Sequence, residues 1–433
     1  MKVSSGKARN LLFLHIPKTG GTSLTAILEN YFDVKDVSPH LVGSEARLVS
    51  SREQVPGRLV MGHFANNLWE LFQDQQNWAC VTVLRHPIER YISQTKHWIR
   101  AQRHLPNGFS VSDAFEEISQ PKRDRYLEVQ QENCQTQNCY LRAATAPIQW
   151  DSVPLDQWEY SLSDLKRFQV VGLADDFRRF LHVLCDLFGW PAAFHQIRLN
   201  QTSDNQDDSQ LHALVLNNAN YFDDDLNTFT KAKELFQERY TALLKRLFPK
   251  IHDHRLITDS MVEQCLNQRF LANSEEHLPG PVSEIHWTMD KPLFGHGWWW
   301  RQHTGKIWYR TTGPQTLSTI YLPPLKSGKD YTLSIEVVFF ASDLIAQNLK
   351  VTVNNHPCEL HLKQVSDDPD DVKCILETNV PSAACNDNEP LVVRIKLPET
   401  KPVLAGNRIT HTDATVDWDT RLLGIGIAAI RIT

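Results

Sequence analysis

Two patterns of hydrophobic and polar positions divide the chain. Between about residues 10 and 270, short apolar runs alternate with stretches in which apolar residues recur every three or four positions. This alternation predicts an α/β domain. The runs "LLFLHI", "CVTVLRHP" and "FQVVGL" are typical of buried parallel strands. Beyond a segment that ends in "LPGP", short β-rich runs separated by Pro, Gly, Asn and Asp predict an antiparallel β-sandwich.

Helical spacing follows several of the apolar runs in the first region. We predict three helices there, with apolar positions Leu24, Ile27, Leu28 and Tyr31 in the first, Phe177, Phe180, Leu181 and Leu184 in the second, and "KELFQERYTALLKRLF" as the third. The polar stretch from about 98 to 165 is typical of a cap or substrate-facing insertion. These patterns place a first domain at 1–272, with a parallel sheet flanked by helices, and an all-β domain at 282–433.

Length and composition narrow the class of protein. A chain of 433 residues is long enough for two cores, and its net charge of −6 argues against general nucleic-acid binding. No apolar run is long enough to span a membrane, and the polar start "MKVSSGKARN" is unlike a signal peptide. The eight cysteines form no C-x-x-C pair. We therefore expect a reduced, cytoplasmic protein without a zinc site.

The first motif with chemical potential is "HIPKTGGTS". A strand that leads through glycines into a helix aims backbone N–H groups and the positive end of the helix dipole at one spot, which suits a phosphate. Lys18 adds a charge, and Thr22 and Ser23 can cap the helix or donate to phosphate oxygens. A plain glycine turn with an N-capping hydroxyl accounts equally well for this motif alone.

The second motif is "LRHPIERYIS". Arg85 follows an apolar strand, so it should emerge at the carboxyl edge of the sheet, where α/β proteins bind ligands. In a helix after Pro87, Arg90, Ser93 and His97 share one face. Arg85 and Ser93 could then hold a second phosphate. The alternative is that Arg85 pairs with a carboxylate and Ser93 only packs.

Together the two motifs resemble those of sulfotransferases that use 3′-phosphoadenosine 5′-phosphosulfate (PAPS). The motif sequences are most similar to those of the branch that contains the heparan and dermatan uronosyl 2-O-sulfotransferases and many bacterial homologues. The resemblance covers residues 10 to 250. The resemblance implies a P-loop-like fold for the first domain, PAPS as cosubstrate and no metal. It also implies that Arg85 and Ser93 hold the 3′-phosphate. The 5′-phosphosulfate would be held by Lys18, Thr19, Gly20, Gly21, Thr22 and Ser23.

Sulfuryl transfer needs a base for the acceptor hydroxyl and a cation at the departing phosphate oxygen. Lys18 suits the second role. His63, in "LVMGHFANNLW", lies in a "G-H" context similar to that of the proposed base of uronosyl-type enzymes. A second histidine of those enzymes is replaced here by Met61, which argues against a uronosyl acceptor. A histidine near a strand can also be structural.

Other polar residues are weaker candidates. His15 is expected to support the loop from beneath, and His97 to lie on the face of Ser93. Asn133 and Gln135, in "QENCQTQNCYL", could touch substrate, although a solvated helix face is the simpler interpretation. Asn200 resembles part of a loop near the nucleotide.

The β-rich region contains four of the twelve tryptophans within "GHGWWWRQHTGKIWYRTTGP". Exposed aromatic rings stack on sugars, but alternating aromatics more often pack a core. The stretch also resembles β-sandwich modules appended to bacterial sugar-acting enzymes, through Gly297 and Trp298, Arg310 to Pro314, and Asp419 to Gly424. This resemblance implies an accessory, possibly carbohydrate-binding domain.

These observations lead to one preferred function and two alternatives. We expect a PAPS-dependent sulfotransferase acting on a hydroxyl acceptor, a saccharide or glycoconjugate, by in-line displacement. A P-loop kinase or ATPase is less consistent, because Arg85 follows the strand that would carry a Walker-B aspartate, and Lys18 precedes the glycines. The other alternative is a non-catalytic glycan-binding protein.

Overall fold

The structure, a computed structural model, describes residues 10–41, 52–62, 72, 77–103, 165, 168–192, 223–366, 368, 370–402 and 422–433. The chain divides into two compact units. Unit 1 comprises Met1–Thr25, Lys35–Phe188 and Arg198–Ile257, and unit 2 comprises Ala26–Val34, Gly189–Ile197 and Thr258–Thr433. Each unit is assembled from separate stretches of chain, whereas the predicted domains, 1–272 and 282–433, are continuous. That these continuous ranges behave as separate domains stays a prediction.

Unit 1 contains a four-stranded sheet in the order β2-β1-β3-β4. Its strands are β1 (Asn10–Leu14), β2 (Leu59–Gly62), β3 (Trp78–Leu84) and β4 (Val170–Leu173), and every pairing between neighbours is parallel. All residues of β2, β3 and β4 are buried, as is β1 after Asn10. Burial on both faces explains why these strands are continuous apolar runs rather than alternating ones.

Helices accompany this sheet. They are α1 (Gly21–Glu29), α2 (Pro87–Arg103), α3 (Phe177–Phe188) and α4 (Asp223–Leu247). The predicted stripe of α3 is largely correct, because Phe180, Leu181 and Leu184 are buried. The Phe180 ring occupies the space beside Gly172 of β4, where any Cβ would collide with it. The predicted α/β architecture with a parallel sheet is therefore confirmed.

Unit 2 is rich in antiparallel sheets. After α5 (Asp259–Ala272), the described residues form a seven-stranded sheet in the order β13-β14-β10-β18-β8-β7, with β5 also paired to β18, and a five-stranded sheet in the order β12-β11-β15-β9-β6. The elements are β5 (Ile285–Thr288), β6 (Phe294–His296), β7 (Trp298–His303), β8 (Trp308–Thr312), β9 (Leu317–Leu322), β10 (Tyr331–Phe340), α6 (Asp343–Asn348), β11 (Lys350–Val353), β12 (His356–Cys358), β13 (His361–Gln364), β14 (Cys374–Val380), β15 (Leu391–Lys396), β16 (Lys401–Pro402), β17 (Leu422–Leu423) and β18 (Ile425–Ile432).

Six apolar runs of this region correspond to β8, β9, β10, β11, β15 and β18, so its β-rich character is confirmed: "KIWYRTT", "STIYLPPL", "YTLSIEVVFF", "LKVTVNN", "LVVRIKL" and "LGIGIAAIRIT". Its arrangement as a sandwich stays a prediction. None of the helices in the described ranges is both long and apolar enough to cross a lipid bilayer.

The tryptophans of β7 and β8 have different environments. Trp298 and Trp299 are buried, and their ring N–H groups donate to the carbonyls of Thr319 at 2.8 Å and Leu422 at 2.9 Å. Trp300 and Trp308 are half-buried. Half of this group therefore packs and hydrogen-bonds within unit 2, which leaves Trp300 and Trp308 as the rings with surface to offer a ligand.

Candidate functional site

The order of the parallel strands concentrates loops at one edge of the sheet. The chain leaves β1, forms β2 on one side of it, and then forms β3 on the other side. The connection after β1 leads to one side of the sheet, and the connection to β3 leads to the other, so the strand order reverses between β1 and β3. In α/β sheets, ligands bind at the carboxyl ends of the two strands that flank such a switch point. Lys18 follows β1, and Arg85 follows β3. The Thr82 hydroxyl donates to the Leu14 carbonyl at 2.9 Å and ties the two strand ends together.

The loop after β1 has an uncommon backbone conformation. Lys18 has a φ of 65°, in the left-handed region that side chains with a Cβ rarely adopt. Gly20 has a φ of 88°, which glycine tolerates without strain. The Leu24 N–H donates to the Gly20 carbonyl at 3.2 Å, so Gly20 is the N-cap of α1. The first turn of the helix, with its positive dipole end, thus starts directly at the two glycines.

The hydroxyl side chains of the loop point in different directions. Thr19 is fully buried, and its hydroxyl donates to the Ile16 carbonyl at 2.8 Å. Any contact of Thr19 with an anion would therefore come from its backbone N–H. Thr22 is exposed and Ser23 is buried.

His15 lies under the loop. Its ring is buried, stacks on Phe13 with 5.5 Å between ring centroids, and meets the His40 ring edge-on at 5.8 Å. The ring fills the space beside Gly21, where an added Cβ would lie 1.9 Å from His15 Cδ2. Gly21 is therefore required by close packing. An added Cβ at Gly20, in contrast, has no atom of the described residues within 4 Å, and Gly20 is exposed.

Arg85 is the candidate for the 3′-phosphate. Its side chain is about one-third exposed, and its Nη2 lies 3.7 Å from the Glu89 carboxylate one helical turn further on. The predicted alternative, a carboxylate partner, is thus present in the structure. An ion pair this long and exposed contributes about 0–1 kcal/mol, so a phosphate can displace it.

The predicted helix after Pro87 is confirmed as α2, but its polar residues differ in burial. Arg90 is buried, whereas Ser93 is half-exposed. The backbone of His97 is part of α2; the position of its side chain is outside what the structure describes.

His63, the predicted base, lies outside the described residues. Its chain neighbour Gly62 ends β2, and the Gly62 carbonyl accepts from the His15 N–H at 2.9 Å. A Cβ at Gly62 would lie 2.1 Å from the Leu41 carbonyl oxygen. Gly62 is therefore tightly packed beside the residues that follow β1. Asn133, Gln135 and Asn200 also lie outside the described residues.

Sequence reasoning missed a group of charged residues in unit 2. Arg301 of β7 and Arg310 of β8 are directly paired across the two strands, and both are buried. Burial raises the pKa of the nearby Glu29 carboxyl, while the two guanidinium groups oppose this rise. The signal was present in the sequence, because arginines interrupt the aromatic runs "WWWRQH" and "WYRTT".

The residues present fit a phosphosulfate. A left-handed lysine, an N-capping glycine open to solvent and the first turn of a helix supply donors and positive charge, and an arginine follows the neighbouring strand. This combination is that of an α/β protein with a candidate anion site at the β1/β3 switch point.

Comparison with known proteins identifies the class. A sequence model of the sulfotransferase family matches residues 6–246, more than half of the 433-residue chain. The chain belongs to the sulfotransferase family, and the prediction of an enzyme of this class is confirmed. Among solved structures, mouse sulfotransferase SULT7A1 complexed with PAP is similar at 15% sequence identity over 61% of this chain and 91% of that chain, with a TM-score of 0.24. A score of that size adds no argument about the fold. None of the curated proteins matches the chain.

Proposed function

We propose that this enzyme transfers the sulfuryl group of PAPS to a hydroxyl of a saccharide or glycoconjugate. The observation that carries the proposal is the pairing of two anion-binding elements at one sheet edge. Lys18 and the first turn of α1 follow β1, and Arg85 follows the adjacent β3. Two separate elements suit a donor with phosphate groups at both its 5′ and its 3′ positions.

In this proposal each element has a separate task. The backbone N–H groups from Thr19 to Ser23 and the Lys18 ammonium bind the 5′-phosphosulfate. Arg85 binds the 3′-phosphate, with a bidentate contact available to its planar guanidinium, and Ser93 donates its hydroxyl to the same group. No metal is required, because these donors supply the positive charge.

The transfer step is an in-line displacement. The acceptor oxygen forms a bond to sulfur while the bond from sulfur to the bridging phosphate oxygen breaks, and the acceptor proton passes to His63. The electron pair of the broken bond stays on the phosphate oxygen of the departing 3′-phosphoadenosine 5′-phosphate (PAP). Lys18 stabilises that oxygen more strongly in the transition state than in the ground state.

The proposal extends to the acceptor and to the cellular compartment. The motif wording supports a carbohydrate 2-O-type branch with bacterial relatives, and Trp300 and Trp308 of the proposed sandwich offer half-buried rings to sugars. We propose the cytoplasm as the compartment of the enzyme. It is consistent with six free thiols among the described residues, at Cys80, Cys185, Cys265, Cys358, Cys374 and Cys385.

Titration with PAP tests the donor. We expect binding with a stoichiometry of one that is unchanged when magnesium is removed, and an increase in melting temperature with PAP concentration. Binding of ATP with magnesium in preference to PAP would indicate a kinase or ATPase instead. If neither nucleotide binds, the sulfotransferase proposal fails.

A substitution of the base tests the mechanism. His63→Gln should lower turnover with labelled PAPS about 10²–10⁴-fold, while the PAP dissociation constant stays within about twofold. His254→Gln, in a short 3₁₀ helix of unit 1 after α4, is the control histidine. Turnover in the His63 variant equal to that of the control would remove His63 as the base.

A further inference from the structure

Helix α1 begins at the proposed donor site and continues into unit 2. Residues up to Thr25 belong to unit 1, whereas Ala26–Val34 belong to unit 2. The helix has nine residues, which corresponds to a length of about 13 Å. Since a hydrogen-bonded helix of this length moves as a rigid rod, whatever holds its last turn also affects the position of its first turn.

Arg301 binds this last turn. Its Nη2 donates to the carbonyl oxygen of Glu29, the final residue of α1, and its Nη1 donates to the carbonyl oxygen of Asp290 at 3.0 Å. The last carbonyls of a helix have no donor within the helix, and a cation there interacts favourably with the helix dipole. Only 6% of Arg301 is exposed, so these charge-assisted bonds are weakly screened by water.

Backbone hydrogen bonds continue the attachment beyond the helix. The Leu293 N–H donates to the Asn30 carbonyl at 2.7 Å, and the Val34 N–H donates to the Asp290 carbonyl at 2.9 Å. Asp290 therefore accepts from both Arg301 and Val34. The residues that follow α1 are thus hydrogen-bonded to the stretch that precedes β7, both as acceptors and as donors.

An aromatic stack lies in the same segment. The Tyr31 ring is parallel to that of Trp190, with 4.2 Å between centroids and 4° between planes, and both rings are buried. Tyr31 also contacts Phe294 of β6, with a centroid distance of 6.1 Å. Stacked aromatic pairs contribute about 0.5–1.5 kcal/mol beyond the burial of their area, so the stack and Arg301 both help to hold this segment.

The position of Arg301 is itself costly to maintain. Its neighbour Arg310 is fully buried, and among the described residues none of its side-chain nitrogens has a hydrogen-bond acceptor. Two adjacent buried guanidinium groups repel each other, and isolated buried charge is unfavourable. The Glu29 carboxylate compensates both arginines electrostatically. The end of α1 thus supplies both the carbonyl that Arg301 binds and the countercharge of the arginine pair.

We propose that Arg301 is a positioning residue for PAPS binding, because it holds the Glu29 carbonyl and thereby fixes α1 and the donor loop at its other end. This inference rests on the proposed function. It assigns a role to a residue about 280 positions from the donor loop in sequence.

The test compares full-length variants by calorimetric titration with PAP. Arg301→Met should raise the dissociation constant about tenfold while the stoichiometry of the folded protein stays at one. Arg301→Lys should give a smaller rise, about threefold, because one ammonium cannot reproduce the planar fork that reaches two carbonyls. Arg394→Met, at a half-buried arginine of β15 that donates to Asn355, is the matched control and should stay within about twofold.

A second variant tests the same inference in case the Arg301 variants do not fold. Tyr31→Leu removes the stack on Trp190 and should also raise the dissociation constant by about threefold or more. Phe339→Leu, at a half-buried aromatic residue of β10, is its control. A merely structural role would reduce the stoichiometry and melting temperature and leave the dissociation constant of the folded fraction unchanged. Wild-type affinity in the Arg301 and Tyr31 variants would overturn the inference, whereas absence of PAP binding to the wild type would instead refute the proposed function.

Discussion

The His15 ring occupies the volume that a side chain at Gly21 would need, with His15 Cδ2 only 1.9 Å from the position of an added Cβ. His15 is the first residue after β1, and Gly21 is the first residue of α1. The strand therefore supports the helix start through one imidazole ring. The backbone N–H groups proposed to bind the phosphosulfate depend on this contact for their position.

Gly21→Ala should raise the PAP dissociation constant by at least about tenfold, because the methyl group must displace the ring or the loop. We also expect a loss of about 1–3 kcal/mol in the free energy of unfolding. Titration calorimetry and denaturant unfolding measure the two effects. Gly280→Ala is the control, since a Cβ there has no atom within 4 Å, and it should change neither quantity measurably.

A double-mutant cycle measures the energetic effect of the clash between the methyl group introduced by Gly21→Ala and the His15 ring. His15→Ala removes the ring, so the double variant should bind PAP more tightly than Gly21→Ala alone, with a coupling energy of about 0.5–3 kcal/mol. Strictly additive effects would show that the two residues act separately.

Lys18→Ala should lower turnover about 10²–10³-fold, the usual effect of removing one group that stabilises developing negative charge. Lys18→Gly should lower turnover equally. Its free energy of unfolding should be about 1 kcal/mol higher than that of Lys18→Ala, because glycine adopts a φ of 65° without strain. Lys250→Ala, at an exposed lysine after α4, is the control for charge. Equal stability of the alanine and glycine variants would contradict the left-handed conformation.

Arg85→Gln should weaken PAP binding about 10–100-fold and leave the affinity for adenosine 5′-phosphate, which lacks the 3′-phosphate, within about twofold. Ser93→Ala should have the same selectivity with a smaller effect, about three- to tenfold. Competition titrations with both nucleotides measure this difference.

The neighbour of Arg85 provides the matched control. Glu89→Gln removes the carboxylate that lies 3.7 Å from the guanidinium, so the variant should bind PAP as tightly as the wild type or more tightly. If Arg85→Gln weakened both nucleotides equally, its role would be general and not specific to the 3′-phosphate.

Glu29→Gln should change how stability depends on pH. Burial raises the pKa of the Glu29 carboxyl above its usual range, with Arg301 and Arg310 opposing that rise. A raised folded-state pKa means that the contribution to stability is complete below the unfolded value, about 4.3, and is lost as pH rises through the folded value. The wild type should therefore lose more stability than Glu29→Gln as the pH is raised from about 4.

Urea unfolding at a series of pH values measures this difference. Glu389→Gln, at an exposed glutamate, should retain the pH dependence of the wild type. An identical pH dependence in wild type and Glu29→Gln would contradict the prediction.

Much of the fold of unit 1 could be read from local pattern. The apolar runs that became β1, β3 and β4 are buried on both faces, and such burial leaves a continuous hydrophobic signature in the sequence. The apolar stripes of α1 and α3 were equally visible, because helical side chains repeat with the backbone. Strands β5, β6, β12 and β13 were missed because they are short, and β7 and β14 because polar residues interrupt their apolar ones.

The candidate site was only partly predictable. Lys18, the glycines and Arg85 could be proposed from the sequence because phosphate-binding loops require these residue types at short spacing. The buried hydroxyl of Thr19, which donates to Ile16, and the Glu89 partner of Arg85 depend on side-chain directions that spacing alone does not specify.

The sequence by itself determined the elements whose signals are local: the apolar strands, the glycine loop with its early lysine, and the change to β-rich runs after "LPGP". Only the tertiary structure decided that His15 supports Gly21, that β1 and β3 bring the two anion-binding motifs to one edge, and that the last turn of α1 belongs with Arg301. These relations join residues far apart along the chain. They follow from burial and hydrogen bonding in the folded state, which leave no periodic signal in the sequence.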